Sequence, residues 1–272
     1  MGNLRCPVCK KELVANNHSL VCNKGHRFDR ASQGYVNLTI GSKRRKSGDD
    51  KSMIAARTLF LSQGYYLLLL EKLIVCLNAL SFQDALDLGC GEGYYTNALF
   101  DHFPDATWTG VDLSVDALKF ASKHKPQVTY LIAGISDLPF LDHSVDLTLN
   151  IFAPIYISEI DRILREGGHA VFVLPREEHL LQLKEKLYPD VHLNPKPLEA
   201  FEGFETTFIE DLDFVFNVKS NADLKALLHM TPYVHRSPKE GLDRVSLLDT
   251  MQIHASFRIL CVGKSRKQRT SD

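Results

Sequence analysis

The chain has no run of about 18 consecutive apolar residues, the length a membrane-spanning helix needs. Its most apolar stretch, Leu67 to Leu70, soon meets Glu71, Lys72 and Asn78. A soluble protein with no membrane partner is therefore expected. The opening Met1-Gly2-Asn3-Leu4-Arg5-Cys6 lacks the apolar core of a signal peptide, so the expected compartment is the reducing cytoplasm, where disulfides are disfavoured. There is no internal repeat and no long low-complexity segment. Nor is there a marked excess of charge: the formal net charge is −1, which argues against a generic nucleic-acid-binding protein.

That average conceals an asymmetry. Residues 1–52 carry 11 Lys/Arg against 4 Asp/Glu, a net +7, while the remainder carries 21 against 29, a net −8. A basic front end on an acidic body suits a division in which the front meets a polyanion. With 272 residues and 44% apolar content, the chain can bury a large core and still carry an appendage. The composition shift near Gly41 places the divisions at 1–40, 41–52 and 53–272. Lys43-Arg44-Arg45-Lys46, set among Gly, Ser and Asp, reads as a basic linker that orders against phosphates.

Of six cysteines, three fall within the first 22 residues. Cys6-Pro7-Val8-Cys9 is followed after twelve residues by Cys22, and His26 comes four positions later. Two residues between the first cysteines allow a tight knuckle, and the longer interval allows a hairpin that returns Cys22 and His26 to the same centre. The result would be a closed tetrahedral Cys₃His zinc site, structural because no position is left open for substrate. His18 is the alternative fourth ligand; the Cys22-to-His26 spacing favours His26. A module of about 40 residues lacks the core to fold alone, so zinc supplies its stability.

The run Asp87-Leu88-Gly89-Cys90-Gly91-Glu92-Gly93 lies between a buried strand pattern and a helix opening at Tyr94. Glycines there permit positive φ and close ligand approach, and the amides of the helix start face an anionic group. Dinucleotides and S-adenosylmethionine both use such turns; the Gly89, Gly91, Gly93 spacing differs from the dinucleotide G-x-G-x-x-G. Asp112 ends a second strand, where a carboxylate can accept the ribose hydroxyls of either cofactor. Two later segments separate the cofactors. Leu138-Pro139-Phe140 with residues 142–150 resembles the loop and fourth strand of class I methyltransferases, and Arg162 to Gly168 resembles their helix, turn and fifth-strand entry. Gly134 stands where many such enzymes carry an acid, so adenine recognition is expected from backbone near Ile135.

Helices are expected over Ser52 to Gln63 and Tyr65 to Leu80, and strands at about 84–88, 107–111, 127–132, 145–150 and 169–174, giving a parallel doubly wound sheet. An antiparallel pair at about 205–218 and 253–263 would complete a seven-stranded, mostly parallel, Rossmann-like α/β sheet. Lys264 to Asp272 reads as a frayed tail.

The Cys6-Cys9-Cys22-His26 set, Gly34-Tyr35-Val36-Asn37-Leu38, Gly64-Tyr65-Tyr66, the turn from Gly89 to Thr96, and His179-Leu180 before Leu183-Lys184 together resemble the large-subunit rRNA guanine-N1 methyltransferases of the RlmA type. The resemblance runs over nearly the whole chain. It implies a class I methyltransferase with a small N-terminal zinc-binding domain, transferring a methyl group from S-adenosylmethionine to N1 of a guanine in a 23S rRNA hairpin. That hairpin lies near the peptide exit tunnel, where modification bears on macrolide sensitivity. The resemblance further implies that the zinc module contacts RNA and that the protein is a homodimer. It sets the cofactor against Tyr66, Gly91, Glu92 and His179; Gly89 and Asp112 join them on the general class I pattern. Asn150 and the loop of residues 151–154 are expected to border the acceptor base, with Phe152 or Tyr156 as stacking partners, and no general base is assigned. Two other readings compete: a zinc-containing methyltransferase acting on a small molecule or protein, and a noncatalytic rRNA-binding protein.

Overall fold

A computed structural model of the chain describes residues 3–41 and 50–265. The basic run Lys43 to Lys46, most of the expected linker and the last seven residues lie outside them. The N-terminal part is a four-stranded antiparallel ribbon of β1 (Leu4–Arg5), β2 (Glu12–Asn16), β3 (Ser19–Cys22) and β4 (Arg27–Asp29), paired in that order. Then β5 (Val36–Asn37) leaves the ribbon and pairs in parallel with a strand of the main sheet.

Two helices follow, α1 (Lys51–Ser62) and α2 (Leu67–Asn78). Asp50 caps α1 by accepting from the amides of Ser52 and Met53, and Gly64, at φ +78°, makes the break between the two. The transferase core then alternates: β6 (Asp84–Leu88), α3 (Tyr94–His102), β7 (Thr107–Asp112), α4 (Val115–His124), β8 (Thr129–Ile132), β9 (Val145–Ile151), α5 (Ile157–Ile163), β10 (Leu164–Pro175) and α6 (Leu181–Leu187). It ends with β11 (Phe204–Val218), α7 (Asn221–His229), a 3-10 turn at Pro232–His235, α8 (Lys239–Ser246) and β12 (Met251–Lys264).

The main sheet has eight strands in the order β11-β12-β10-β9-β6-β7-β8-β5. Seven are those expected, with β11 and β12 antiparallel as the sequence suggested. The eighth is β5, whose two residues are too few for any periodicity to reveal. Lys264 is no part of a frayed tail: it pairs with Phe204 at the end of β12, and its ammonium donates to the carbonyl of Asp161.

The side chains of each central strand divide between two layers, as the period of two requires. On one side Ala85, Leu147, Leu149, Val171, Val173, Phe257 and Ile259 meet apolar residues of every helix except α5. On the other, Leu86, Leu88, Val111, Leu131 and Phe172 meet α5 and the ribbon, through Leu4, Cys6, Leu13, Leu20 and Cys22. The ribbon thus stands where a doubly wound fold ordinarily places a helix. It is tied down further by the amide of Arg5 donating to the Pro139 carbonyl and by Arg5 and Lys10 pairing with Asp137.

Among the described residues no single helix is long and apolar enough to cross a membrane. The consecutive α1 and α2 reach that length only together, across an 80° bend, and α2 turns Leu69, Leu70, Leu73, Cys76 and Leu77 into the core.

Candidate active site and metal centre

In the ribbon, two turns bring four ligands together. The amide of Lys10, at φ +61°, donates to the Cys6 carbonyl and closes the first knuckle; that of Gly25, at φ +81°, donates to the Cys22 carbonyl and closes the second. One ligand atom from each of Cys6, Cys9, Cys22 and His26 lies within 4.8 Å of all the others. The Sγ atoms of Cys9 and Cys22 are 3.6 Å apart, and the Nδ1 of His26 is 3.6 Å from the Sγ of Cys6 and 3.3 Å from that of Cys22. Ligand edges of about 3.5–3.8 Å follow from zinc–sulfur and zinc–nitrogen bonds of ~2.3 and ~2.0 Å in a tetrahedron, so the set fits zinc. His18 is exposed at the hairpin turn and outside the cluster. Desolvation opposes ionisation of Cys22, yet amide donors from Lys24 and His26 outweigh it and bring the thiol down to about 6. A thiol so lowered is already disposed to bind metal as thiolate.

The second centre lies at the carboxyl ends of β6 and β9, where the sheet order reverses direction. This is the crevice in which open α/β sheets bind ligands. Gly89, Gly91 and Gly93 all have positive φ, at +77°, +55° and +83°. Their neighbours explain why no side chain stands there. A Cβ on Gly89 would lie 2.7 Å from that of Ala153, and one on Gly93 would lie 2.9 Å from the Tyr130 hydroxyl. Gly93 caps α3, so the helix amides open onto the turn. Gly110 in β7 serves the same construction, since a Cβ there would meet the Cys90 sulfur at 2.7 Å and the Tyr130 ring at 2.8 Å. Cys90 is packing, and burial pushes its thiol well up.

Asp112 is not a helix cap; Ser114 caps α4 by accepting from the Ala117 amide. Asp112 instead accepts from the Gly91 amide at 3.0 Å and the Ser114 amide at 2.7 Å, which holds the turn against the end of β7. Asp87 is buried beneath, where burial raises its carboxyl to about 7 against the opposing hydrogen bond from Thr96. Glu92 is only 4% exposed, and Arg57 of α1 reaches it at 3.3 Å. A buried carboxylate needs such a partner.

Tyr66 and His179, 113 positions apart in sequence, are brought to one aromatic wall. Tyr66 stacks edge-on against Phe60, Phe214, Phe216 and Phe257, and its ring centre is 6.5 Å from that of His179. His179 in turn is 4.5 Å from the ring of Phe257, which is 5.4 Å from that of Phe152. Tyr95 lies near this wall and the turn: burial pushes its hydroxyl well up, and Tyr66, Tyr94 and Glu92 add to that while Arg57 opposes it. Burial leaves that hydroxyl without a hydrogen-bond partner among the described residues.

His179 is not exposed on a helix. It is buried just before α6, its Nδ1 accepts from the Ser256 amide at 3.2 Å, and burial pulls the imidazole down to about 3. A neutral ring that accepts at Nδ1 carries its proton on Nε2. His179 is therefore a hydrogen-bond donor and has no basic nitrogen to offer. Leu180 beside it and Phe152 across the wall are both left-handed without being glycine, at φ +57° and +59°. Such backbone strain gathers at functional sites.

On the acceptor side, Asn150 is buried near the end of β9; its amide donates to the Pro154 carbonyl, and its side-chain oxygen has no partner in the described structure. Phe152 and Tyr156 are 44% and 43% exposed. The sequence singled out neither Arg57 nor Phe257, and it held Tyr95 and Gly110 only as members of longer runs. Gly110, a glycine inside a strand, was the one with a readable signal.

Residues 4–46 match a family model described as RlmA, N-terminal, and residues 85–168 match one described as a methyltransferase domain. The 23S rRNA (guanine(748)-N(1))-methyltransferase of Streptomyces fradiae is 35% identical over 189 residues, 68% of this chain and 67% of that protein. A Bacillus subtilis (strain 168) protein, YxjB, to which 23S rRNA guanine-N1 methylation is provisionally ascribed, is 32% identical over 269 residues, 91% of each chain. With a structural zinc ribbon at one end, a methyltransferase fold at the other and relatives matched across both, the chain belongs to the 23S rRNA (guanine-N1)-methyltransferase family.

Proposed function

We propose that the protein transfers the methyl group of S-adenosylmethionine to N1 of one guanine in a 23S rRNA hairpin near the peptide exit tunnel. The observation that carries this reading is the glycine turn at the end of the main sheet together with a zinc ribbon packed on one face of that sheet. In this reading Cys6, Cys9, Cys22 and His26 hold the zinc, the ribbon and the basic run at 43–46 meet the RNA, and residues 53–272 bind cofactor and carry out transfer. Tyr66, Gly89, Gly91, Glu92, Asp112 and His179 line the cofactor. A homodimer working in the cytoplasm fits the same reading.

S-adenosylmethionine supplies an electrophilic methyl on a sulfonium. Guanine N1 would take that methyl, leaving the sulfur–carbon electron pair on sulfur, and would give up its proton to solvent. The protein's contribution is placement and exclusion of water. The carboxylates of Glu92 and Asp112 set negative charge beside the turn, which suits a sulfonium. His179 cannot take the N1 proton, because Nδ1 is occupied and Nε2 is protonated; it can donate to a cofactor or guanine oxygen. Asn150 fixes the acceptor loop through Pro154, and Phe152 and Tyr156 offer faces on which an extruded base can stack.

The test is transfer in vitro. Purified protein with zinc, labelled cofactor and unmodified 23S rRNA should yield 1-methylguanosine, identified by mass spectrometry after digestion to nucleosides. Methylation of a metabolite or a protein with none of rRNA would refute the proposal.

A further inference from the structure

The cofactor that the fold implies has two charged groups at its amino-acid end, a carboxylate and an ammonium. The glycine turn already presents one carboxylate for the ammonium, Glu92, buried to 4% exposure. The carboxylate of the ligand needs a cation in the same place, within a region whose acids are Asp87, Glu92 and Asp112. Arg57 answers that need. Its Nη1 lies 3.3 Å from Glu92 Oε2 and 3.0 Å from the point where a Gly91 Cβ would stand, and its side chain is 22% exposed. It reaches the turn from α1, a helix outside the strand–turn–helix unit that forms the glycine motif.

Geometry around Gly91 assigns the two ends of the ligand. The Gly91 amide points to Asp112, the acid expected at the ribose. Its Cβ direction points instead to Arg57. A ribose at Asp112 would thus meet Gly91 from its amide direction, and an amino-acid end at the ion pair from its Cβ direction.

We propose that Arg57 and Glu92 act together as the receptor for the zwitterionic amino-acid end of S-adenosylmethionine, guanidinium to carboxylate and carboxylate to ammonium. The pair matches the ligand in charge and order, and a guanidinium offers the forked donors that a carboxylate accepts bidentately. Each member keeps a counter-charge whether the site is filled or not. The inference rests on the cofactor site described above and adds a residue that the glycine motif does not contain.

Calorimetry on the full-length zinc protein tests it with two ligands. S-adenosylhomocysteine has the amino-acid end; 5′-methylthioadenosine lacks it and keeps the adenosine and sulfur. Arg57→Met should weaken S-adenosylhomocysteine by ~10–100-fold, the scale of removing a charge-assisted pair, and leave 5′-methylthioadenosine within about threefold. Arg57→Met takes from the buried Glu92 the cation described beside it, so the double variant Arg57→Met with Glu92→Gln removes that fault and should show the same collapse of the preference between ligands. An unchanged preference in both variants, or equal loss of both ligands, overturns the assignment. Failure of the unaltered protein to bind either ligand overturns the cofactor site itself, and so is distinct from failure of Arg57.

Discussion

In the ribbon, four side chains from two turns converge on one point, and the main chain around them has little apolar mass of its own. In the glycine turn, the side chains are absent by design and the main chain itself is the contact surface, fixed from below by Asp87 and Thr96 and from the side by Asp112. One region depends on an added ion for its shape, whereas the other takes its shape from the sheet. The two are nevertheless not independent. Leu13, Leu20 and Cys22 of the ribbon share an apolar cluster with Leu86 and Leu88, the strand residues that lead into the glycines. The difference between them is one of what each loses first, and four experiments probe it.

The largest effect should follow from Cys22→Ser. A structural zinc contributes on the order of 10–16 kcal/mol in small modules, so zinc content measured by mass spectrometry should fall from one to none and transfer to rRNA should be lost. The shared cluster adds a consequence that the sequence alone did not suggest: the unfolding temperature of the transferase core should fall too. Affinity for S-adenosylhomocysteine should change by less than ~10-fold; loss in step with RNA methylation would erase the distinction between the regions.

Next comes His179. Its imidazole is held at about 3 in the folded protein against about 6.5 in the unfolded chain. A base with a depressed folded value binds fewer protons folded than unfolded, so its contribution is present above pH ~6.5 and is lost as pH falls towards ~3, up to ~5 kcal/mol. His179→Gln should flatten the stability profile in that window. Nitrogen-15 NMR of the unaltered protein should find the ring neutral and protonated at Nε2 down to pH ~4. A titration near 6.5 would contradict its role as a fixed donor.

Gly89→Ala should cost ~1–3 kcal/mol, from positive φ and from the 2.7 Å approach to Ala153. It should weaken S-adenosylhomocysteine while zinc content stays at one. Normal binding and stability would mean that the turn and the acceptor loop are not pressed together. The smallest effect belongs to Lys43, Arg44, Arg45 and Lys46. Their neutralisation should lower the salt dependence of RNA affinity, by up to ~0.7–0.9 in logarithmic slope for each phosphate no longer neutralised. An unchanged slope would reduce the run to a spacer.

The same comparison explains what could be read in advance. Metal ligands come in short local spacings, so Cys6, Cys9, Cys22 and His26 were legible as a set, and the structure brings His26 rather than His18 beside the cysteines. The glycine turn was legible because backbone contact excludes side chains, and the strands around it because apolar residues recur through β6 to β9 and over Ala170 to Leu174 of β10. What escaped was non-local. Val36–Asn37 is too short to announce a strand, and it is one only because β8 offers an edge. Arg57 lies 35 residues before Glu92 on a helix of ordinary composition, and Phe257 enters the site from the last strand. His179 was placed by resemblance, but its burial and its hydrogen bond from Ser256 come from tertiary packing that no local pattern encodes.

Guanine-N1 methylation is most directly tested by primer extension on 23S rRNA from cells with and without the gene. A methyl group on N1 blocks base pairing and halts reverse transcriptase. A stop is expected at one guanine of an exit-tunnel hairpin that vanishes on deletion and returns with the unaltered gene but not with the Cys22→Ser variant. An identical pattern of stops in cells with and without the gene would contradict it.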